Sequence, residues 1–219
     1  MNPKKRLLIK KNTNLLLIFT RNPELGKCKT RLAAKVGDKT ALEIYEFLLA
    51  HTVSFTKELE AGKQVFYSEA IWENDLWDNN IYQKKLQNGA DLGIRMQNAF
   101  LNGFSSGFEK IIVIGSDMYD LSQEDLEKAF AKLEDHDYVI GPAEDGGYYL
   151  LGMSIFKKEL FKNKAWGTET VLSHTLEDLK TENYFLLEAK NDVDIYEDIK
   201  DIEAFQPYLK HIENDKKTT

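Results

Sequence analysis

"KIIVIGSDMYDLSQEDLEKAFAKLEDHDYVIG", residues 110–141, decides the fold class. Residues 111–114 are apolar and β-branched, a run too short for a helix and bounded by glycine, so 110–115 reads as a buried strand. Ser122 with Asp125 then forms a capping-box pattern, which predicts a helix over 122–134. A second short apolar run, 137–141, follows at once. Strand, polar loop, helix and strand in this order are the unit of a mainly parallel sheet with helices packed on its faces.

Outward from this unit the same alternation continues. "NLLLIF" (14–19), "KQVFYS" (63–68) and "YFLLEA" (184–189) read as further strands, and 39–60, 91–103 and 168–181 as helices. Leu42, Tyr45, Leu48 and Leu49 repeat at helical spacing, and Thr168 is placed to cap the helix after it. The expected architecture is an α/β fold, mostly parallel and Rossmann-like, in one domain across residues 1–219 with an ordered core of about 13–210. The tail "ENDKKTT" is expected to fray. The last helix is expected to start on an acidic turn, Glu197 and Asp198, which would suit the helix dipole.

Composition limits the functions. A chain of 219 residues with 42% hydrophobic and 11% aromatic content can bury a sizeable core. Its net charge of −7 opposes general nucleic-acid binding, which needs a basic face against phosphates. The apolar run 15–19 is too short for a signal peptide or a membrane span, so no membrane insertion is expected. Cys28 is the sole cysteine, which permits no internal disulfide and suits a cytoplasmic protein. With no histidine in a motif beside it, Cys28 reads as a packed residue rather than a nucleophile.

In open α/β sheets ligands bind beyond the carboxyl ends of the strands, so the segments after each strand carry the chemistry. After the first strand comes "TRNPELGKCKTRL" (20–32). Gly26 shapes a loop, and Lys27, Lys29 and Arg31 follow at a spacing of two; they form either a phosphate cradle or a solvated basic turn. The glycines and Gly-Lys-Ser/Thr ending of a P-loop are absent. After 110–115, Asp117 stands where a carboxylate can hold a hard divalent cation or accept turn N–H groups. "NDVDIYEDI" (191–199) offers Asp192 and Asp194, which share a side if 191–195 is extended. In "QNGADLGIRM" (87–96), Gly89 and Gly93 would let a base or ribose approach closely, and Asp91 is either a ligand-binding residue or a helix cap. "GPAEDGGYYLLGM" (141–153) sets Glu144 and Asp145 before a double glycine: a bare turn, or one wall of a site. If extended, that stretch would turn Asp145 and Gly147 to one side and Gly146 to the other.

Taken in order, G-x-x-K-T-R-L at 26–32, "GADLGIRM" at 89–96, G-S-D at 115–117, "GPAEDGGYYLLG" at 141–152, W-G-T at 166–168 and D-V-D at 192–194 resemble one family. It is the bacterial glycosyltransferase-like branch of the nucleotide-diphospho-sugar transferases, a GT-A type fold related to the molybdenum-cofactor and phospholactate guanylyltransferases. The resemblance runs from about Leu15 to Ile202. It implies that Gly26, Lys29 and Arg31 bind donor phosphates, with Gly89, Asp91 and Gly93 also on the nucleotide. It implies that Asp117 and Asp194 hold Mg²⁺ or Mn²⁺, and that Glu144, Asp145, Gly146 and Gly147 face the acceptor or sugar, with Asp145 as a base. The chain departs from relatives where Met118-Tyr119 and Ile195-Tyr196 replace loop prolines, and where Arg21 and "ELG" replace a lysine and Pro-Gly.

Three functions follow. The first is metal-assisted glycosyl transfer from a nucleotide-sugar to a small acceptor. The second is nucleotidyl transfer from an NTP to a phosphorylated acceptor with release of pyrophosphate. The third is nucleotide binding without turnover.

Overall fold

The computed structural model describes residues 12–217. The basic stretch at 1–11 lies outside them. Seven strands form one sheet: β1 (Asn14–Thr20), β2 (Gly62–Tyr67), β3 (Gln83–Leu86), β4 (Lys110–Gly115), β5 (Tyr138–Pro142), β6 (Tyr148–Met153) and β7 (Tyr184–Leu186), in the order β3-β2-β1-β4-β6-β5-β7. Only β6 runs against its neighbours, pairing antiparallel with β4 and β5; the remaining pairs are parallel. The chain winds from β1 towards one edge and returns to place β4 on the other side of β1. That reversal leaves a crevice beyond the carboxyl ends of β1 and β4.

Alternation along the strands builds two cores. Leu16, Ile18, Ile112 and Ile114 face helices α2 (Asp38–Thr56) and α4 (Gln123–Lys132). Leu15, Leu17, Ile111 and Val113 face α3 (Leu92–Ser105). Because these central strands are covered on both sides, they read as continuous apolar runs. A third cluster holds α1 (Thr30–Val36) and α6 (Gln206–Lys217) against α2 through Leu32, Ile44, Phe205 and Leu209.

Several elements depart from expectation. The stretch 141–153 is not extended throughout: β5 and β6 form a hairpin whose turn closes by Ala143 N–H to the Gly147 carbonyl at 3.0 Å and Gly146 N–H to the Ala143 carbonyl at 3.1 Å. The helix expected over 168–181 is shorter, α5 (Val171–Asp178), and no side chain caps it. Thr168 instead donates its hydroxyl to the Ala165 carbonyl at 2.8 Å. The acidic turn at Tyr196–Asp198 is a single 3₁₀ turn rather than the start of the last helix, and Asp198 accepts the N–H groups of Asp194 and Ile195. α6 starts at Gln206 and carries the expected frayed tail in helical form as far as Lys217. No helix among the described residues is long and apolar enough to cross a membrane.

Candidate active site

The loop after β1 is fixed from two sides. Tyr45, buried on α2, accepts the Arg21 N–H at 2.9 Å and donates to the Arg21 carbonyl at 3.1 Å, while Thr52 donates to the Ser116 carbonyl at 3.0 Å. Asn22 is 3% exposed and ties this loop to the one after β2. Its amide donates to the Ala70 carbonyl at 2.8 Å, and its Oδ1 accepts from Glu69 N–H at 3.1 Å and Ala70 N–H at 3.2 Å. Cys28 is buried, its thiol donating to the Asn22 carbonyl at 3.2 Å, and burial raises its pKa; it is a packed residue as read.

The three basic residues of the loop part company. Lys27 points to solvent and pairs with Glu24 nearby. Lys29 adopts a left-handed backbone (φ 47°, ψ 47°) at the entrance to α1, a conformation that costs a non-glycine residue about 1–3 kcal/mol. From there its ammonium, with only 7% of the side chain exposed, reaches Asp117 Oδ2 at 2.7 Å. Arg31, in the first turn of α1 and 70% exposed, meets Asp194 Oδ2 at 2.6 Å. Each residue expected to bind phosphate thus pairs with a residue expected to hold metal. Burial raises the Asp117 carboxyl, but the charge and hydrogen bond of Lys29, with Arg21 behind them, outweigh it and hold Asp117 below the usual carboxylate range.

Of these four groups Asp117 reaches a cleft of ≈ 250 Å³ at the switch point. Asp117 and Asp145 line it, and so does Asp192, which the sequence reading offered only as a companion to Asp194. Buried Val193 sits between those two acids, with Asp192 on the cleft and Asp194 turned to Arg31. Their alternation in sequence could not say which would face the ligand. Burial first, then the charge of Asp145, raise the Asp192 carboxyl to about 6; Lys29 opposes this, and Asp117 and Asp194 add to it. Among the described residues, no three His, Cys, Asp or Glu side chains gather closely enough to hold a metal ion by themselves.

The hairpin contributes Asp145 and Gly147 to the cleft wall. Asp145 Oδ1 accepts the Gly147 N–H at 2.8 Å, which fixes the carboxylate's direction. Glu144 is exposed, away from the cleft, with its N–H on the Lys190 carbonyl. Gly146 (φ 88°) serves packing instead, since a Cβ there would stand 2.3 Å from the Glu169 carbonyl oxygen; the 165–170 loop fills that space, not a ligand. The same holds at Gly93, where a Cβ would meet Trp166 and the Phe161 carbonyl at 2.6 Å. Asp91 caps α3 by accepting Ile94 N–H at 2.9 Å, and Gly89 packs on the first turn of the same helix. Gly26 (φ 74°) shapes the first loop, where a Cβ would meet the Asp38 carboxylate at an ordinary 3.9 Å.

The far side of the cleft is apolar. Phe19, Leu92, Met96, Tyr148, Trp166 and Val171 close it, and burial pushes the Tyr148 phenol up. Leu92 and Met96 of "GADLGIRM", Tyr148 of "GPAEDGGYYLLG" and Trp166 of W-G-T all lie on this wall, though none of these motifs reads as apolar lining.

Comparison with known proteins supports the picture. Residues 52–168 match the family described as "uncharacterized protein conserved in bacteria (DUF2064)". A Desulfovibrio desulfuricans G20 protein, assigned as a nucleotide-diphospho-sugar transferase, is similar in structure with a TM-score of 0.81 and 30% identity over 93% of this chain and 96% of its own. The fold also matches a cytidylyltransferase from Leptospira borgpetersenii serovar Hardjo-bovis (TM-score 0.53, 13% identity, 94% and 96% covered). A further match is 4-diphosphocytidyl-2C-methyl-D-erythritol synthase from Anaerococcus prevotii DSM 20548 (TM-score 0.54, 10% identity, 90% and 97% covered). None of the curated proteins matches the sequence. With a cleft at the sheet's switch point, these likenesses make the protein a transferase: the chain belongs to the DUF2064 family of bacterial proteins and has the fold of the nucleotide-diphospho-sugar transferase superfamily.

Proposed function

We propose that the protein transfers a sugar from a nucleotide-diphospho-sugar to the hydroxyl of a small acceptor bound in the cleft. The observation that carries this reading is the double pairing Lys29–Asp117 and Arg31–Asp194 beside the cleft. The two cations and two carboxylates neutralise one another pairwise. A donor diphosphate would draw Lys29 and Arg31 to its phosphate oxygens, and Asp117 and Asp194 would then be the residues to hold Mg²⁺. A pair of carboxylates suffices, because Mg²⁺ commonly completes its shell with substrate phosphates and water. Bound there, the ion supplies positive charge to the leaving diphosphate.

The chain's own groups do the rest. Lys29 and Arg31 hold the diphosphate. Asp145, oriented by the Gly147 N–H, accepts the acceptor's hydroxyl proton. The acceptor oxygen bonds to the anomeric carbon as the carbon–phosphate-oxygen bond breaks, and its electron pair leaves on the nucleoside diphosphate. An NTP would use the same cradle for nucleotidyl transfer; release of pyrophosphate rather than nucleoside diphosphate marks that second reading.

The test is binding of UDP-glucose, GDP-mannose and NTPs with and without Mg²⁺, followed by product analysis. Donor and metal should bind together, each tightening the other. Lys29→Ala and Arg31→Ala should each weaken donor binding about tenfold, since a charge-assisted contact is worth about 1.5–3 kcal/mol. Asp117→Asn should abolish the metal dependence. Donor binding indifferent to Mg²⁺ and to all three substitutions would remove the proposal, and binding without turnover would leave a silent nucleotide-binding protein.

A further inference from the structure

We infer that the acceptor is amphipathic: an apolar body, aromatic or short aliphatic, carrying its reacting hydroxyl at one end. This rests on the transfer reading above and names the substrate class of that cleft. The lining is sorted by chemistry. Asp117, Asp145 and Asp192 all line the cleft, while Phe19, Met96, Tyr148 and Trp166 belong to the core cluster on the α3 side. The two ends face the same ≈ 250 Å³.

A sugar or polyol in this space would turn hydroxyls towards Phe19, Met96 and Trp166, none of which can satisfy them except the indole N–H. A phosphorylated or carboxylated body would set an anion against three carboxylates. An apolar body with hydroxyls at one end meets both walls: burial in the slot removes its surface from water, and the carboxylates accept its O–H groups. Tyr148 adds one directed contact. Among the described residues its hydroxyl meets only the Met96 thioether, a weak acceptor at 3.9 Å, and is open to a better partner on the ligand.

The experiment is calorimetric titration of the full chain with 1,2-propanediol, 1,2-butanediol, 1,2-pentanediol and 1,2-hexanediol, with glycerol as the polar control. Each added methylene should tighten binding about fourfold, the equivalent of about 0.8 kcal/mol per buried CH₂. Asp145→Asn should weaken every member alike and leave that slope in place, whereas Trp166→Ala should flatten it. Trp166 packs on Gly93, so Leu92→Asn, at the 43%-exposed cleft mouth, provides a second variant that leaves the core alone and should lower the slope. A slope of zero, glycerol bound as tightly as hexanediol, or an unchanged slope in both variants would overturn the inference. Titration with UDP-glucose and Mg²⁺ separates the two claims. A diol slope with no binding of any nucleotide or sugar donor defeats the transfer reading and keeps the slot. Donor binding with a flat series defeats the slot alone.

Discussion

The carboxyl of Asp192 is held at about 6, where an ordinary aspartate stands at 3.8, because burial and then the charge of Asp145 disfavour its ionised form. The groups facing it are Asp145, Lys29, Asp117 and Asp194, and only Lys29 opposes the shift. A folded-state pKa above the unfolded one means that the folded protein binds the proton more tightly. Ionised Asp192 therefore costs nothing below about pH 4, and its cost develops between 4 and 6 and is complete above 6. Asp192→Asn should raise the melting temperature at pH 8 and leave it unchanged at pH 4; equal shifts at both would show that the charge is not the cause. A second residue-scale expectation concerns the double glycine. A Cβ at Gly146 meets backbone at 2.3 Å in a left-handed conformation, whereas one at Gly147 meets only the Asp145 carboxylate at 3.1 Å. Gly146→Ala should cost on the order of 2 kcal/mol or more. Gly147→Ala should unfold close to wild type, and a reversed ranking in thermal melts would contradict the packing described.

At the scale of elements, the site is two loops fastened to each other before either meets a ligand. Asn22 carries that fastening with three hydrogen bonds to the backbone of the loop after β2. Asn22→Ala leaves those groups without partners in a buried setting and should cost about 1–3 kcal/mol. Asn22→Asp, which keeps the acceptor oxygen and loses the donor, should fall between. If Asn22→Ala melts like wild type, the loops are held elsewhere. Helix α4 behaves as its sequence predicts: Ser122 and Asp125 cap each other reciprocally, and Asp125 also meets Lys190 at 3.2 Å. At 118–119, where relatives carry a loop proline, Met118 is buried and Tyr119 meets Phe205 edge to face with ring centroids 5.0 Å apart.

Across the whole molecule, burial falls from the centre of the sheet to its edges. β1 and β4 are covered on both faces, whereas the edge strands β3 and β7 leave Leu86 48% and Leu186 41% exposed. Amides of Leu16–Ile18 and Ile112–Ile114 should exchange with deuterium only on global unfolding, and those of β3 and β7 through smaller openings. Uniform protection across the sheet would contradict this gradient. The strands also differ in how legible they are in the sequence. β1, β2, β4, β5 and β7 announce themselves as short apolar runs. β3, "QKKL", is an edge strand whose ladder partner rather than its side chains makes it a strand, and no periodicity betrays it.

By itself, the sequence determined the alternation of strands and helices, the capping of α4 and the loops that would carry chemistry, because these depend on residues within one turn or one strand of each other. The family pattern from Gly26 to Asp194 likewise lies in the chain as written. Long-range placement decided the rest. "GPAEDGGYYLLGM" became a hairpin because β6 found β4 as an antiparallel partner some 40 residues upstream. Lys29 met Asp117 across 88 positions, and Asp192 rather than Asp194 reached the cleft, Asp194 being taken by Arg31. Gly93 and Gly146 look in sequence like gaps for a ligand, and in the fold they are filled by Trp166 and Glu169. A glycine records that something comes close; only the packed chain decides what.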